Sequence, residues 1–405
     1  MESDNKLFLL DAYALIYRAY YAFIKNPRIN SKGFNTSAIL GFVNTLEEVL
    51  KKENPTHIGV AFDPAGPTFR HEAFEQYKAQ REETPEAIRL SVPIIKEIIR
   101  AYRIPILEVA GYEADDVIGT LATEAGRQGI ITYMMTPDKD YGQLVSDKVF
   151  MYRPKHTGGF EVMGVDEVKA KFDIQSSAQV IDMLGLMGDS SDNIPGCPGV
   201  GEKTAQKLIA EFGSIENLLE HTDQLKGALK TKVETNREMI TFSKFLATIK
   251  IDVPIQLDMD SLVREQADED SLRQIFEELE FRTLIDRVLK KENAGNGITT
   301  PTGNKTAAEK SNLAPLPLFP EEGGAVQGDL FANFTGNEPG EAKNSNLATL
   351  ETLNCDYQLI DTEEKRTKII QKLLTSKILS LDTETTGTEP MDAELVGMSF
   401  SIAEN

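Results

Sequence analysis

The 405 residues contain no tryptophan, two cysteines and four histidines, and no apolar run approaches the ~20 residues that span a bilayer. Cys197 and Cys355 are too distant in sequence to suggest a disulfide framework or a zinc ligand set. So few histidines make chemistry built on several imidazole ligands unexpected. The opening MESDNKLFLL has no basic stretch before an apolar core and no small-residue cleavage site, so no secretion signal is expected. The expectation is a monomeric cytoplasmic protein without membrane attachment. Basic residues are also short, 43 Lys and Arg against 64 Asp and Glu, a net charge of −21. Bulk charge of that sign argues against a nucleic-acid partner. Its distribution weakens the argument. Residues 1–291 hold 35 basic and 46 acidic residues, a net of −11, and residues 292–405 hold 8 and 18, a net of −10. If eight or nine acids of the first part surround metal ions, the rest of that part is close to neutral.

What the chain does have is alternation. Short apolar runs and amphipathic stretches follow one another through the first 291 residues, the pattern of an α/β domain with a largely parallel sheet. LFLLD (7–11), IGVAFD (58–63) and ITYMMTPD (131–138) are expected to be strands buried on both faces. Helices are expected over roughly 36–53, 85–103 (Thr84 as N-cap, Pro85 in the first turn) and 113–128. From about 175 the strand signal fades and helices follow. Residues 292–349, polar and with little periodicity, are expected to be a disordered linker. Globular signal returns near Tyr357, with a helix at 363–375 and strands at ILSLD and ELVGMSFSIA. About 56 residues are too few for a domain of this pattern, so the chain is expected to be the N-terminal piece of something longer.

Each of the three expected strands ends in aspartate, at Asp11, Asp63 and Asp138. Ligands bind outside the carboxyl ends of strands in open α/β sheets, so three carboxylates delivered there face one crevice. For any single strand the plain alternative, a turn former or helix cap, is the better explanation. More acids follow the same logic: Glu113, Asp115 and Asp116 at an expected helix start, Asp138 and Asp140 around a turn, and Asp189 and Asp192 three residues apart. Like charges crowded in one site cannot all ionise at neutral pH without cations. Carboxylate and water oxygens suit Mg²⁺ or Mn²⁺, and because Mg²⁺ takes one or two protein carboxylates, this many acids implies at least two ions. Two ions ~4 Å apart are the arrangement for in-line attack of water on a phosphodiester. Neither a Walker-type glycine loop, nor a Ser-His-Asp set, nor a catalytic cysteine competes.

Taken together, LLDAYALIYRAYYA, VAFDPAGPTFRHEAFEQYKAQR, GYEADD, TPDKDYGQL and GDSSDNIPGCPGVGEKTAQKLI resemble the 5′→3′ exonuclease (flap endonuclease) domain of bacterial DNA polymerases I, in order, from residue 6 to about 290. The resemblance implies a PIN-like nuclease domain over 1–175 and a helical helix-hairpin-helix subdomain over 176–291. After the 292–349 linker it implies, over 350–405, the incomplete start of an RNase H-like 3′→5′ exonuclease, ILSLDTETTG, with a polymerase region beyond. It assigns one metal site to Asp11, Asp63, Glu113 and Asp115 and a second to Asp138, Asp140, Asp189 and Asp192, with Asp116 at or between them. Asp382 and Glu384, two apart on a strand, resemble the first ligands of the second exonuclease.

DNA contacts follow from the same resemblance. In GCPGVGEKTAQKLIAEFG (196–213), Gly199 and Gly201 would turn the chain so that backbone N–H groups and a helix N-terminus face a phosphate, with Lys203 and Lys207 adding charge and K⁺ bridging carbonyls to the phosphate. FRHEAFEQYKAQR (69–81) carries Arg70, Lys78 and Arg81, the last two expected on one helical face. The resemblance places this segment in an arch, where Lys78 and Arg81 would contact the scissile phosphate and Arg70 the DNA. Arg18 follows Asp11 closely enough to act similarly, and Tyr17, Tyr20 and Tyr21 either stack on an unpaired base or are core. In the linker, Gln327, Leu330 and Phe331 resemble a motif that docks on the β sliding clamp. The implied activity is metal-dependent hydrolysis at 5′ ends, nicks and flaps of duplex DNA and removal of RNA primers. A catalytically silent DNA-binding or recruitment fragment is the alternative. A small acidic-site ribonuclease would be shorter and would lack the hairpin after the last acid pair.

Overall fold

The computed structural model describes residues 5–155, 159–289, 360, 362–376, 380–385 and 395–401, which fall into two compact units, one up to residue 289 and one from residue 360. The first unit is built on a six-stranded sheet. Its strands are β1 (Lys6–Asp11), β2 (His57–Ala61), β3 (Ile106–Leu107), β4 (Ile131–Met135), β5 (Val149–Pro154) and β6 (Phe160–Met163), in the order β3-β2-β1-β4-β5-β6. All neighbours run parallel except β5 and β6. This is the expected α/β class. β3, β5 and β6 carry no strong sequence signal, because two residues, a strand ending in Arg-Pro and a short edge strand offer no continuous apolar run.

Period-2 side chains split the sheet's burial between two cores. Phe8, Leu10, Val60 and Phe62 point to one, where α1 (Ala12–Ala22) and α2 (Ser37–Lys52) pack. Beyond the five-residue α3 (Phe69–Ala73), α4 (Glu86–Ala101) joins the same core. Leu7, Leu9 and Met134 point the other way, against α5 (Ala114–Arg127), with α6 (Val165–Phe172) at the sheet's far side. The entry to α4 differs from expectation. Pro85 takes the N-cap position, and the Thr84 hydroxyl accepts a hydrogen bond from the Tyr17 hydroxyl at 2.9 Å.

The remaining chain is helical: α7 (Gln179–Met187), α8 (Glu202–Phe212), α9 (Ile215–Glu220), α10 (Gly227–Thr235), α11 (Arg237–Ala247), α12 (Glu269–Glu278) and α13 (Arg282–Leu289). α7 packs on α11 so closely at Gly185 that a Cβ there would lie 3.0 Å from the Lys244 backbone. α12 and α13 return to the sheet, where Leu272, Phe276 and Leu284 enter the core beneath α1, α2 and α4.

The second unit contains α14 (Glu363–Thr375) and the antiparallel pair β7 (Ser380–Thr385) and β8 (Leu395–Ser401). Asp382 and Glu384 occupy β7, opposite Ser399 and Gly397. The expected linker and its Gln327, Leu330 and Phe331 lie outside the described residues. Among the described residues no helix is long and apolar enough to cross a membrane.

Candidate active site

From β1 the chain proceeds to β2 and β3 on one side, then begins β4 on the other, which opens a crevice at the carboxyl ends of β1 and β4. Asp11 closes β1 and also caps α1, its Oδ1 accepting from Ala14 N–H at 3.1 Å. Oδ2 accepts from Thr136 Oγ1 at 3.1 Å and from the Tyr141 hydroxyl at 3.3 Å. Burial first, then Asp63, pushes the Asp11 carboxyl up to about 7. Asp63, two residues past β2, accepts from Ala114 N–H at 2.7 Å, which ties the end of β2 to the start of α5. Asp138, beyond β4, caps a turn through Asp140 N–H at 3.0 Å. The cap explanation therefore holds for Asp11 and Asp138, and both still face the crevice neighbours that shift them.

The start of α5 supplies the first acid group. Glu113, Asp115 and Asp116 bring carboxylate oxygens within 4.8 Å of one another. Arg70 lies under them, 1% exposed. Its Nη1 is 3.0 Å from Glu113 Oε2 and 2.8 Å from Asp116 Oδ2, and its Nη2 is 2.8 Å from Asp116 Oδ1. Asp116 also accepts from Glu113 N–H (3.1 Å) and Lys250 N–H (2.8 Å), so all four of its lone-pair directions are filled. Glu113 additionally accepts from the Tyr77 hydroxyl at 2.9 Å and Lys78 Nζ at 2.7 Å. Burial would raise Glu113, but Lys78 and Arg70 overcome it and hold the carboxyl low. For Asp115 the same cations do not prevail: burial and the adjacent Asp116 push it well above the usual carboxylate range against Arg70, 3.9 Å away, and Lys78.

The second group is poorer in positive charge. Asp189 is buried, its Oδ1 turned back to Ser191 N–H at 2.8 Å and its Oδ2 2.8 Å from Lys139 Nζ. Gly188 and Gly196 hinge this loop, both at positive φ, and a Cβ on either would strike the other's backbone, at 2.3 Å in one case. Asp138 is raised by loss of surrounding water, against the hydrogen bond from Asp140, and further by Asp192 and Asp189. Asp140 is raised well above its ordinary value by burial and by Asp138 and Asp189. Its Oδ1 is buried without a hydrogen-bond partner among the described residues. An orphaned, desolvated carboxylate oxygen beside two more acids has the chemistry of a divalent-cation ligand. Asp192 belongs to both groups. Burial opposes its charge, yet Lys78 and Arg81 hold it at about 2.

The segment after α3 differs from the expected helix. Only Phe69–Ala73 is helical, Lys78 sits at φ 56°, and Lys78 and Arg81 share no helical face. Instead the segment is tied to the 189–193 loop. Lys78 N–H donates to Asp192 O (3.0 Å), Arg81 Nε to Ser191 O (3.2 Å), and Arg81 Nη2 is 2.5 Å from Asp192 Oδ1. Tyr77, without a role in the sequence reading, bridges the groups through Glu113 and Asp192 Oδ2 (3.0 Å). Its only sequence signal is adjacency to Lys78, and Lys139 is signalled by its place between Asp138 and Asp140.

One expectation needs correction. Arg70 cannot contact DNA, because burial and five hydrogen bonds to protein consume its guanidinium. Asp116, expected at or between the two metal sites, lies in the acid cluster at the start of α5 and has its oxygens engaged by Arg70 and backbone amides in this structure. Arg18 donates to Lys155 O at 3.5 Å. Tyr13, Tyr17 and Tyr21 form a ladder along α1, with centroids 6.5 and 6.3 Å apart.

The hairpin lies between α7 and α8. Gly199 has φ 73°, whereas Gly201 is in ordinary extended conformation at the N-cap of α8, with open space where a Cβ would be. The turn thus requires glycine at 199, and 201 leaves room for close approach. Lys203 and Lys207 are exposed on α8, and Lys232 Nζ approaches Gly199 O at 3.4 Å.

Residues 6–173 match the family described as the 5′-3′ exonuclease N-terminal resolvase-like domain, and residues 175–270 match the 5′-3′ exonuclease C-terminal SAM fold. DNA polymerase I of Bacillus subtilis is 43% identical over 291 residues, 71% of this chain and 33% of that protein. DNA polymerase I of Chloroflexus aurantiacus is 34% identical over 400 residues, 98% of this chain and 40% of that protein. The chain spans about a third to two-fifths of the length of these relatives. Among solved structures, a bacteriophage T5 5′-exonuclease with bound zinc superposes with a TM-score of 0.51 at 21% identity, covering 68% of this chain and 99% of the other. A T5 flap endonuclease in a pseudo-enzyme-product complex with DNA and metal ions gives 0.50 at 22%, covering 68% and 100%. These likenesses establish the shared fold.

Proposed function

The chain belongs to the 5′→3′ exonuclease family, and from that premise we propose that it hydrolyses phosphodiesters at the 5′ ends and flaps of duplex DNA with divalent metal ions. The observation that carries this is the imbalance of the crevice. Asp115, Asp138 and Asp140 are raised by burial and by neighbouring acids (Asp116 for Asp115, Asp192 and Asp189 for Asp138, Asp138 and Asp189 for Asp140), and a buried Asp140 oxygen lacks a partner among the described residues. Asp11, Asp63, Glu113 and Asp115 would hold one ion, and Asp138, Asp140, Asp189 and Asp192 a second; Mg²⁺ or Mn²⁺ suits the oxygen set. Bound there, the ions would supply an activated water and a sink for charge developing on the phosphate.

The chain's own residues do the rest. Lys78 and Arg81, paired with Glu113 and Asp192 in this structure, exchange those partners for the scissile phosphate once the acids are neutralised by metal. Arg18 serves the same phosphate from α1. Duplex DNA is held by the hairpin: backbone N–H groups around Gly199 and Gly201, the N-terminus of α8, Lys203 and Lys207, and K⁺ at the hairpin carbonyls. Primer RNA paired to DNA is a second substrate, and a duplex carrying a nick or flap the first. Domain limits of 1–175, 176–291, 292–349 and 350–405, docking of Gln327, Leu330 and Phe331 on a sliding clamp, a cytoplasmic location and polymerase activity in a longer protein are part of the same reading. So is the likeness of Asp382 and Glu384 to the first ligands of a second, 3′→5′ exonuclease. Incubating a labelled flap duplex with the chain in Mg²⁺ and in EDTA tests the core proposal: cleavage in Mg²⁺ alone is expected, and intact substrate in both would favour a silent DNA-binding fragment.

A further inference from the structure

Arg70 offers five donors, and each bond it makes joins two parts of the molecule that the sequence keeps apart. Toward the crevice it grips Glu113 once and Asp116 through both oxygens. Away from the crevice its Nε donates to Leu246 O at 2.9 Å and its Nη2 to Thr248 O at 2.8 Å. Those carbonyls belong to the end of α11, where the last turn of any helix leaves acceptors without helical partners. Lys250 N–H completes the link by donating to Asp116. Gln143 sews the same strip to the turn after Asp140, donating to Ala247 O at 3.0 Å and accepting from Ile249 N–H at 2.9 Å.

We infer that Arg70 is a positioning residue for the metal-binding acids: it fixes the first turn of α5 against the end of α11, and thereby sets Glu113 directly and Asp115 through Asp116. A guanidinium is needed because the site requires a planar fork with donors on two sides; an ammonium could not reach both acids and both carbonyls. Asp115 Oδ1 accepts from Asp116 N–H at 2.6 Å, so a shift of Asp116 moves it too. Groups that orient ligands from behind in this way are worth about 10–100-fold in metal affinity.

This inference rests on the proposed metal site, and calorimetric titration of Mn²⁺ into the DNA-free chain separates the two. R70K should fold, as judged by circular dichroism, and bind Mn²⁺ about 10–100-fold more weakly, while its affinity for duplex DNA in EDTA stays within about twofold of the parent's. Flap cleavage by R70K, lost at limiting Mn²⁺, should return as Mn²⁺ is raised, which a folding defect would not permit. D116N, which removes the charge Arg70 clasps without changing shape, should weaken Mn²⁺ in the same way and serves if R70K does not fold. Unchanged Mn²⁺ affinity in these variants overturns the inference alone. Loss of duplex affinity with normal metal binding makes Arg70 a DNA contact and also overturns it. A parent chain that binds no Mn²⁺ overturns both readings.

Discussion

Asp116 and Asp140 are both acids expected from sequence to bind metal, and both are withdrawn from water, yet they live under opposite conditions. Asp116 is met by a bidentate guanidinium and two backbone amides. Asp140 faces Asp138 and Asp189, with Lys139 the contributing cation, and leaves one buried oxygen without a partner among the described residues. The comparison separates two uses of one residue type. An acid whose every lone pair is filled by a guanidinium and backbone amides serves the fold in this structure; an acid with a buried oxygen left over has the chemistry to take a cation from outside.

Substitutions can break that contrast. Asp138→Ala should lower cleavage by at least ~10³-fold, leave duplex binding intact or tighter, and raise the melting temperature of the metal-free chain by relieving repulsion. Asp116→Ala should do the reverse to stability, costing about 3–5 kcal/mol by stranding a buried guanidinium; chemical denaturation of the two variants side by side checks both signs. If both stabilise the metal-free chain, the division of roles is wrong. Next in size, Lys78→Ala should cut kcat by roughly 10²–10³-fold, the scale for losing one transition-state donor, with little change in duplex affinity. Equal losses in kcat and affinity would instead make it a binding residue.

Asp11 is raised from 3.8 to about 7 in the metal-free chain, so the folded state holds a proton that the unfolded state has released. Its cost to stability is absent below pH ~4, grows between pH 4 and 7, and is complete above 7. Asp192, held at about 2, acts with the opposite sign, its stabilisation being lost only as pH falls below about 4. Asp11→Asn should therefore stabilise the metal-free chain over the parent progressively from pH 4 to 7, and added Mg²⁺ should shrink that gap. A gap independent of pH would remove Asp11 from the unbalanced group. The smallest effect is expected at the hairpin: Lys203→Ala should weaken duplex binding and lower its salt slope by about one, with turnover at saturating DNA unchanged.

Much of this was legible in the chain. Strand-terminal aspartates and the Asp189–Asp192 spacing pointed to the crevice, because a parallel sheet brings the ends of its strands together whatever lies between them. Which acids are balanced was not legible. Asp115 and Asp116 are adjacent and chemically identical, and what tells them apart is that Arg70 and two backbone amides hydrogen-bond Asp116, while Asp115 lies 3.9 Å from the same guanidinium. Arg70 itself lies in a stretch dense in charge that reads as solvated, and its carbonyl partners, Leu246 and Thr248, lie on a helix end far along the chain. Lys78 and Arg81 were misplaced on a helix for a related reason: helical spacing in 69–81 is outweighed by tertiary ties to residues 189–193 that hold Lys78 in a left-handed conformation. Gly201 shows the limit from the other side, since its open surroundings have meaning only toward a partner.

Metal is expected on Asp115, Asp138 and Asp140, and not on the fully hydrogen-bonded Asp116. A crystal of the chain grown with Mn²⁺ and measured at the manganese absorption edge tests it directly. Two anomalous peaks about 4 Å apart are predicted, one touching Asp115 and the other Asp138 or Asp140, with Asp116 still clasped by Arg70. A peak bound to Asp116 with Arg70 displaced, or no peak in the crevice at all, would contradict the account.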